Sequence, residues 1–114
     1  MEEFVISIPD NYYSKLENDN AHAIILVNNN KAQRYQQGNR LVVLNEETKN
    51  SFEIVIKNML YFDNITDAVN LVGTKYLGYS KNASATKIED TLLARYKAQD
   101  VDKYGVVVVE YDKN

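Results

Sequence analysis

The chain has no cysteine, a single histidine and a single proline. Without cysteine, disulfides, thiolate chemistry and cysteine-ligated zinc are excluded. With only His22, a histidine-cluster metal site within one chain is excluded too, and the residues imply no metal and no other cofactor. Positive charge is short as well: 13 lysines and arginines stand against 16 acidic residues, a net charge of −3 with histidine neutral. These cations are scattered, with no run of three. A protein that grips nucleic acid through many phosphates usually carries a basic face, so strong non-specific nucleic-acid binding is disfavoured. Long apolar runs are missing. Nothing approaches the ~20 apolar residues of a membrane span, and the longest run, in "VVVVEY", has strand length. The opening "MEEFVISIPD" is acidic and lacks the basic start of a signal peptide. Together with the missing cysteine, this leads us to expect a cytoplasmic protein.

What is present is a globular composition. A length of 114 residues favours one domain over 1–114. Tyrosine is abundant, with nine copies; each offers a large apolar face and a polar tip, suited to core positions and, at a surface, to stacking on a base. "EFVISI" alternates apolar and polar residues and ends at Pro9, a strand. Pro9 and Asp10 then start a short helix that puts Tyr12, Tyr13 and Leu16 on one face and ends near Asn18. "HAIILVN" is β-branched and apolar, a strand buried on both faces. After a polar segment with Gly38 as a turn residue, "RLVVLNEET" and "SFEIVIKNMLYF" form a hairpin across the turn Asn45 to Asn50, with Phe52, Ile54 and Ile56 on one face. "NITDAVNLVG" has helical spacing at Ile65, Ala68, Val69 and Val72, with Asn64 or Thr66 as cap and Gly73 as stop. "SATKIEDTLLARYKAQD" reads as one long helix with Ile88, Leu92 and Tyr96 four apart and Ser84 as cap. "YKAQDVDKY" reads as its solvated ending, and Gly105 then breaks into the buried strand "VVVVEY", where Glu110 reads as an edge charge. The sum is an α+β domain of five or six strands and about three helices.

Three segments in this order resemble the ASCH domain family, a branch of the PUA-like superfamily. "QQGNRLVVLNEET" is similar to the family's glycine turn and following strand. "IVIKNMLYFDNITDAVNLVG" is similar to its strand-to-helix pattern, and "LGYSKNASATKIEDTLLARYKAQDVDKYGVVVVEYD" to its C-terminal ending. The likeness runs over nearly the whole chain. It implies a small, closed or partly closed PUA-like β-barrel of five to six mostly antiparallel strands flanked by about three helices. It also implies a cleft for RNA, a nucleotide or a modified nucleoside, and it places Tyr61 and Phe62 in the core. Some relatives in the family resemble small amidohydrolases that deacylate acetylcytidine, using a "GxKxxE"-type segment whose lysine and carboxylate supply acid, base and charge stabilisation.

That segment falls here on "ENDNAHAIILVNNN". The family's glycine-lysine turn meets Asp19, Asn20 and Ala21, its threonine falls near His22, its glutamate near Ile24 and its arginine near Leu26. No lysine lies between Lys15 and Lys31, and no carboxylate between Asp19 and Glu46. We therefore expect a charge-depleted cleft and no catalytic residue, with His22 at its rim and Tyr79 or Ser80 within reach. The candidate ligand-binding residues are Asn20, His22, Arg34, Tyr79 and Ser80. His22 is the candidate base or stacking group, Asn20 a reader of base edges, Arg34 a phosphate contact, and Tyr79 and Ser80 the loop of the family's glycine-aromatic-serine motif. Against each stands a plainer reading: a strand-start polar residue, turn asparagines that tolerate left-handed backbone, a solvated loop. The expected function is a non-catalytic module binding RNA or a nucleotide-like ligand. The alternatives are an amidohydrolase acting through His22 and Asp19, and a protein-interaction or self-associating module with an apolar, tyrosine-rich face.

Overall fold

A computed structural model describes residues 3–18, 20–80, 82–93 and 96–113. The first strand, β1 (Glu3–Ile8), buries Phe4, Ile6 and Ile8 and turns Glu3 and Val5 outward, as its alternation dictates. Pro9 ends it in an extended conformation and caps α1 (Asp10–Leu16), whose buried face is Tyr12, Tyr13 and Leu16. All five residues of β2 (Ala23–Val27) are buried. A 3-10 turn, Ala32–Arg34, leads to β3 (Arg40–Asn45), and the turn to β4 (Ser51–Phe62) closes the expected hairpin. Asn45 holds that turn. Its side-chain oxygen accepts from the amides of Glu47 and Thr48, and its side-chain nitrogen donates to Asp10 at 2.8 Å, which ties the hairpin to the start of α1.

The next helix, α2 (Ile65–Val72), is capped by Asn64, which accepts from the Asp67 amide at 2.8 Å, and stops at Gly73. A second 3-10 turn, Lys75–Leu77, follows and ends on Gly78 in the left-handed region. Ser84 accepts from the Lys87 amide at 3.1 Å and so caps α3 (Ala85–Leu93), as expected. The long helix expected over residues 84–100 is two helices, however. Lys97 is extended, and α4 (Ala98–Tyr104) starts anew, giving four α-helices among the described residues. Val101 explains the break. On a continued α3 it would lie nine residues beyond Leu92, about 180° around a 3.6-residue helix, and would face away from the core. Restarting the helix brings Val101 to 7% exposure, in the same buried core as Leu92. Gly105 then turns the chain into β5 (Val106–Lys113).

The five strands form one curled sheet, a half-barrel, in the order β1-β3-β4-β5-β2. β1 and β3 are parallel; the other neighbours are antiparallel. β5 is thus a central strand, so Glu110 is no edge charge. It pairs across to Ala23 on β2 and to Asn58 on β4. Tyr61, expected in the core, is 61% exposed. The helices cover the sheet: α1 packs on β3, α2 on β4 and β5, α4 on β2, and α3 lies against α1 and α2. β2 and the first half of β5 are buried throughout because both their faces are covered.

Where a closed barrel would join β1 to β2, no ladder forms among the described residues. Single side chains occupy the two edges instead. The Tyr12 hydroxyl donates to the Ile25 carbonyl at 3.0 Å and accepts from the Ile25 amide at 2.8 Å, which satisfies the outward-facing peptide groups of β2's central residue. Lys31 donates its ammonium to the Val5 carbonyl on β1 at 2.7 Å. Between the edges lies a small cavity of about 90 Å³, lined among others by Ser7, Val27, Tyr35 and Tyr96.

Lys57 on β4 is an extra residue in its pairing with β5: Ile56 faces Tyr111 and Asn58 faces the next residue, Glu110. A bulge of this kind inverts the alternation that follows it. Ile54 and Ile56 share the expected inward face, but Asn58 and Leu60 emerge on the opposite one, alongside Glu110.

Candidate functional site

A groove is built by three segments: the end of α1, the turn entering β2, and the chain from the end of α2 through the second 3-10 turn. Backbone bonds fix their arrangement. The His22 amide donates to the Tyr76 carbonyl at 2.8 Å, and the His22 carbonyl accepts from the Tyr111 amide at 2.9 Å. His22 is therefore clamped between the 3-10 turn and β5. Thr74 closes its own loop, donating its hydroxyl to the Ser80 carbonyl at 2.8 Å and accepting from the Tyr79 amide at 3.0 Å. Gly78 allows this loop to lie on α1: a Cβ there would sit 2.0 Å from the Lys15 carbonyl oxygen, at a φ of +89°.

Two adjoining depressions result. The first, about 470 Å³, is lined by Asn20, His22, Val72, Thr74, Lys75 and Tyr76, with Gly73 between them. The second, about 460 Å³, is lined by Lys15, Asn18, Asn20, Lys75, Tyr79 and Ser80, with Gly78 in its wall. Asn20 and Lys75 belong to both. A third, smaller depression of about 210 Å³ continues past Tyr76 to Leu60, Leu71 and Glu110.

Four of the five candidate residues meet here. Asn20, His22, Tyr79 and Ser80 all line the groove, whereas Arg34 lies on the first 3-10 turn, its guanidinium 5.5 Å from the Phe4 ring, and lines none of the three depressions. His22 is exposed, and its ring stands 5.3 Å from that of Tyr76. Tyr79 and Ser80 line the second depression and not the one His22 lines. Tyr79 is buried beneath Lys15, whose ammonium lies 5.2 Å from its ring centre. Burial pushes the Tyr79 phenol above its ordinary pKa, an effect the Thr91 hydroxyl lessens. Yet Thr91 donates its own proton to the Lys87 carbonyl, and the Tyr79 hydroxyl has no well-formed hydrogen bond among the described residues. Asn18 and Asn29 play the plainer, turn-forming role: they accept from the amides of Asn20 and Ala32.

The sequence reading missed the groove's cations. Lys15 comes from α1 and Lys75 from the 3-10 turn, and Lys113 at the end of β5 donates to the Asn18 carbonyl at 3.2 Å. Lys15 and Lys75 are far apart in sequence and meet in the second depression only on folding, and Lys113 borders it through Asn18. None of the described residues lining the first two depressions is a carboxylate. Asp19, which the enzyme reading would pair with His22, lies outside the described residues. Among the described residues, no group of three or more histidines and carboxylates could hold a metal ion. Nor is any helix among them long and apolar enough to cross a membrane.

No family model and no curated protein matches the chain. Solved structures match it in fold. Hypothetical protein PH0355 superposes with a TM-score of 0.81 at 13% identity, covering 99% of this chain and all of its own. Protein PF0455 from Pyrococcus furiosus superposes with a TM-score of 0.67 at 16% identity, covering 98% of this chain and 97% of its own. The architecture is thus shared by other proteins, whose names carry no activity.

Proposed function

We propose that the groove binds RNA or a nucleotide-like ligand and that the protein is a non-catalytic binding module, as the likeness to ASCH domains also suggests. The observation that carries this reading is the placement of the partly exposed Tyr76 ring against His22, with Lys75 and Lys15 in the adjoining depressions and no described carboxylate among them. An exposed ring gives a stacking surface for a base, and the lysines give counter-charges for a phosphate. Their local convergence answers the objection raised by the net charge of −3. Acid–base catalysis requires a titratable pair within hydrogen-bond reach, and the described residues lining the depression that His22 lines include no carboxylate, so binding is favoured over amide hydrolysis.

The test is a titration of the protein with short single-stranded RNAs and with nucleoside monophosphates at several salt concentrations. Tyr76→Ala should weaken binding by the loss of one stacked base, about 1–3 kcal/mol. Lys15→Ala and Lys75→Ala should each flatten the salt dependence. If no RNA or nucleotide binds even at low salt, where phosphate contacts are strongest, the reading is wrong.

A further inference from the structure

The seam between the two edges of the sheet leaves donors without partners. Along β2, the amide and carbonyl of Ile25 point away from β5 and meet the Tyr12 hydroxyl. Alternate residues of an antiparallel strand turn their peptide groups the same way. Val27, two residues on, therefore turns its amide and carbonyl toward the seam as well. The next amide, of Asn28, turns back to the Gly105 carbonyl at 3.0 Å. Val27 is 3% exposed, yet among the described residues nothing bonds to either of its peptide groups. Buried peptide groups are almost always paired.

Val27 lines the cavity of about 90 Å³ in this seam, together with Ser7, Lys31, Tyr35 and Tyr96. Tyr35 is 5% exposed, its ring lies 4.9 Å from that of Phe4, and its hydroxyl has no hydrogen bond among the described residues. Burial pushes its phenol up to about 12, so the hydroxyl keeps its proton at neutral pH. Lys31 spends one of its three N–H donors on the Val5 carbonyl, which leaves two. No described residue lining the cavity is a carboxylate. We infer that this cavity binds a small oxyanion that keeps a proton, hydrogen phosphate, held by the Lys31 ammonium, the Tyr35 hydroxyl and the Val27 amide. The proton of the phosphate has its own acceptor, the Val27 carbonyl. One water takes roughly 10–15 Å³ of such space, so the cavity admits an ion of a few heavy atoms and excludes a nucleoside. It shares no lining residue with the groove of the proposed function, so this is a second, separate site.

An amide-resolved NMR titration with inorganic phosphate, sulfate and acetate at constant ionic strength tests the inference. Phosphate should shift the Val27 amide saturably. Sulfate and acetate, which carry no proton for the carbonyl at neutral pH, should bind at least tenfold more weakly. Lys31→Met and Tyr35→Phe should each weaken phosphate at the Val27 amide about tenfold or more, since each removes a hydrogen bond to a charged group. Tyr35→Phe keeps the ring beside Phe4. Lys75→Ala, in the separate groove, should leave this titration unchanged, so failure here and failure of the groove reading are told apart. A Val27 amide that phosphate does not move overturns the inference, as does an undiminished response in Lys31→Met. Equal shifts with all three anions mean an adventitious ion only and overturn it too.

Discussion

Tyrosine chemistry divides sharply by position in this protein. Tyr12 and Tyr111 are both almost wholly buried, and burial pushes both phenols well above their ordinary pKa. Their hydroxyls do opposite things. Tyr12 uses its hydroxyl twice, on the amide and the carbonyl of Ile25, whereas the Tyr111 hydroxyl has no hydrogen-bond partner among the described residues. Removing the Tyr12 oxygen leaves two buried peptide groups unpaired, each costing about 1–3 kcal/mol. Removing the Tyr111 oxygen deletes a desolvated polar atom and leaves nothing behind. Tyr12→Phe should therefore lower the denaturant midpoint markedly, and Tyr111→Phe should leave it unchanged or raise it. Chemical unfolding of the two variants beside the wild type checks both signs. Equal losses would mean that the Tyr12 bridge contributes nothing beyond its ring.

At the level of elements, the loop carrying Lys75 and Tyr79 is set by one residue. Gly73 and Gly78 both have positive φ, but a Cβ on Gly73 meets nothing within 4 Å, while one on Gly78 would collide with the Lys15 carbonyl. Gly73→Ala should thus cost only backbone strain, about 1–3 kcal/mol. Gly78→Ala should cost clearly more, because α1 and the loop must separate, and it should also weaken any ligand held by Lys15 and Lys75. Thermal unfolding and ligand titration of both variants measure this; similar losses in the two would show that the close approach is dispensable. Where structure is local, the sequence announced it. The alternation of β1, the β3–β4 hairpin and the caps Asn64 and Ser84 all lie within a few residues of their signals. What the sequence hid depends on distant partners. The α3–α4 break answers to the burial of Val101, and the Lys57 bulge answers to register against β5. The parallel pairing of β1 with β3 answers to a strand order that no local signal encodes. The curled five-stranded sheet with helices agrees with the expected α+β class, and among the described residues no ladder joins its two edges into the closed barrel also expected.

For the whole molecule, the groove was half legible. Asn20 and His22 stood out as polar residues beside an apolar run, and Tyr79 and Ser80 as a loop motif, but their neighbours Lys15, Lys75 and Lys113 come from α1, a 3-10 turn and the last strand. Long-range assembly creates that cationic patch in a chain with an acidic balance, so neither composition nor spacing could signal it. If those lysines hold a phosphate, reversing both of them, Lys15→Glu with Lys75→Glu, should abolish oligonucleotide binding in the proposed groove at low salt, where phosphate contacts are strongest. Both side chains belong to exposed residues, so the circular dichroism should not change. Binding that survives the double reversal would mean that the cations of this groove do not hold the phosphate.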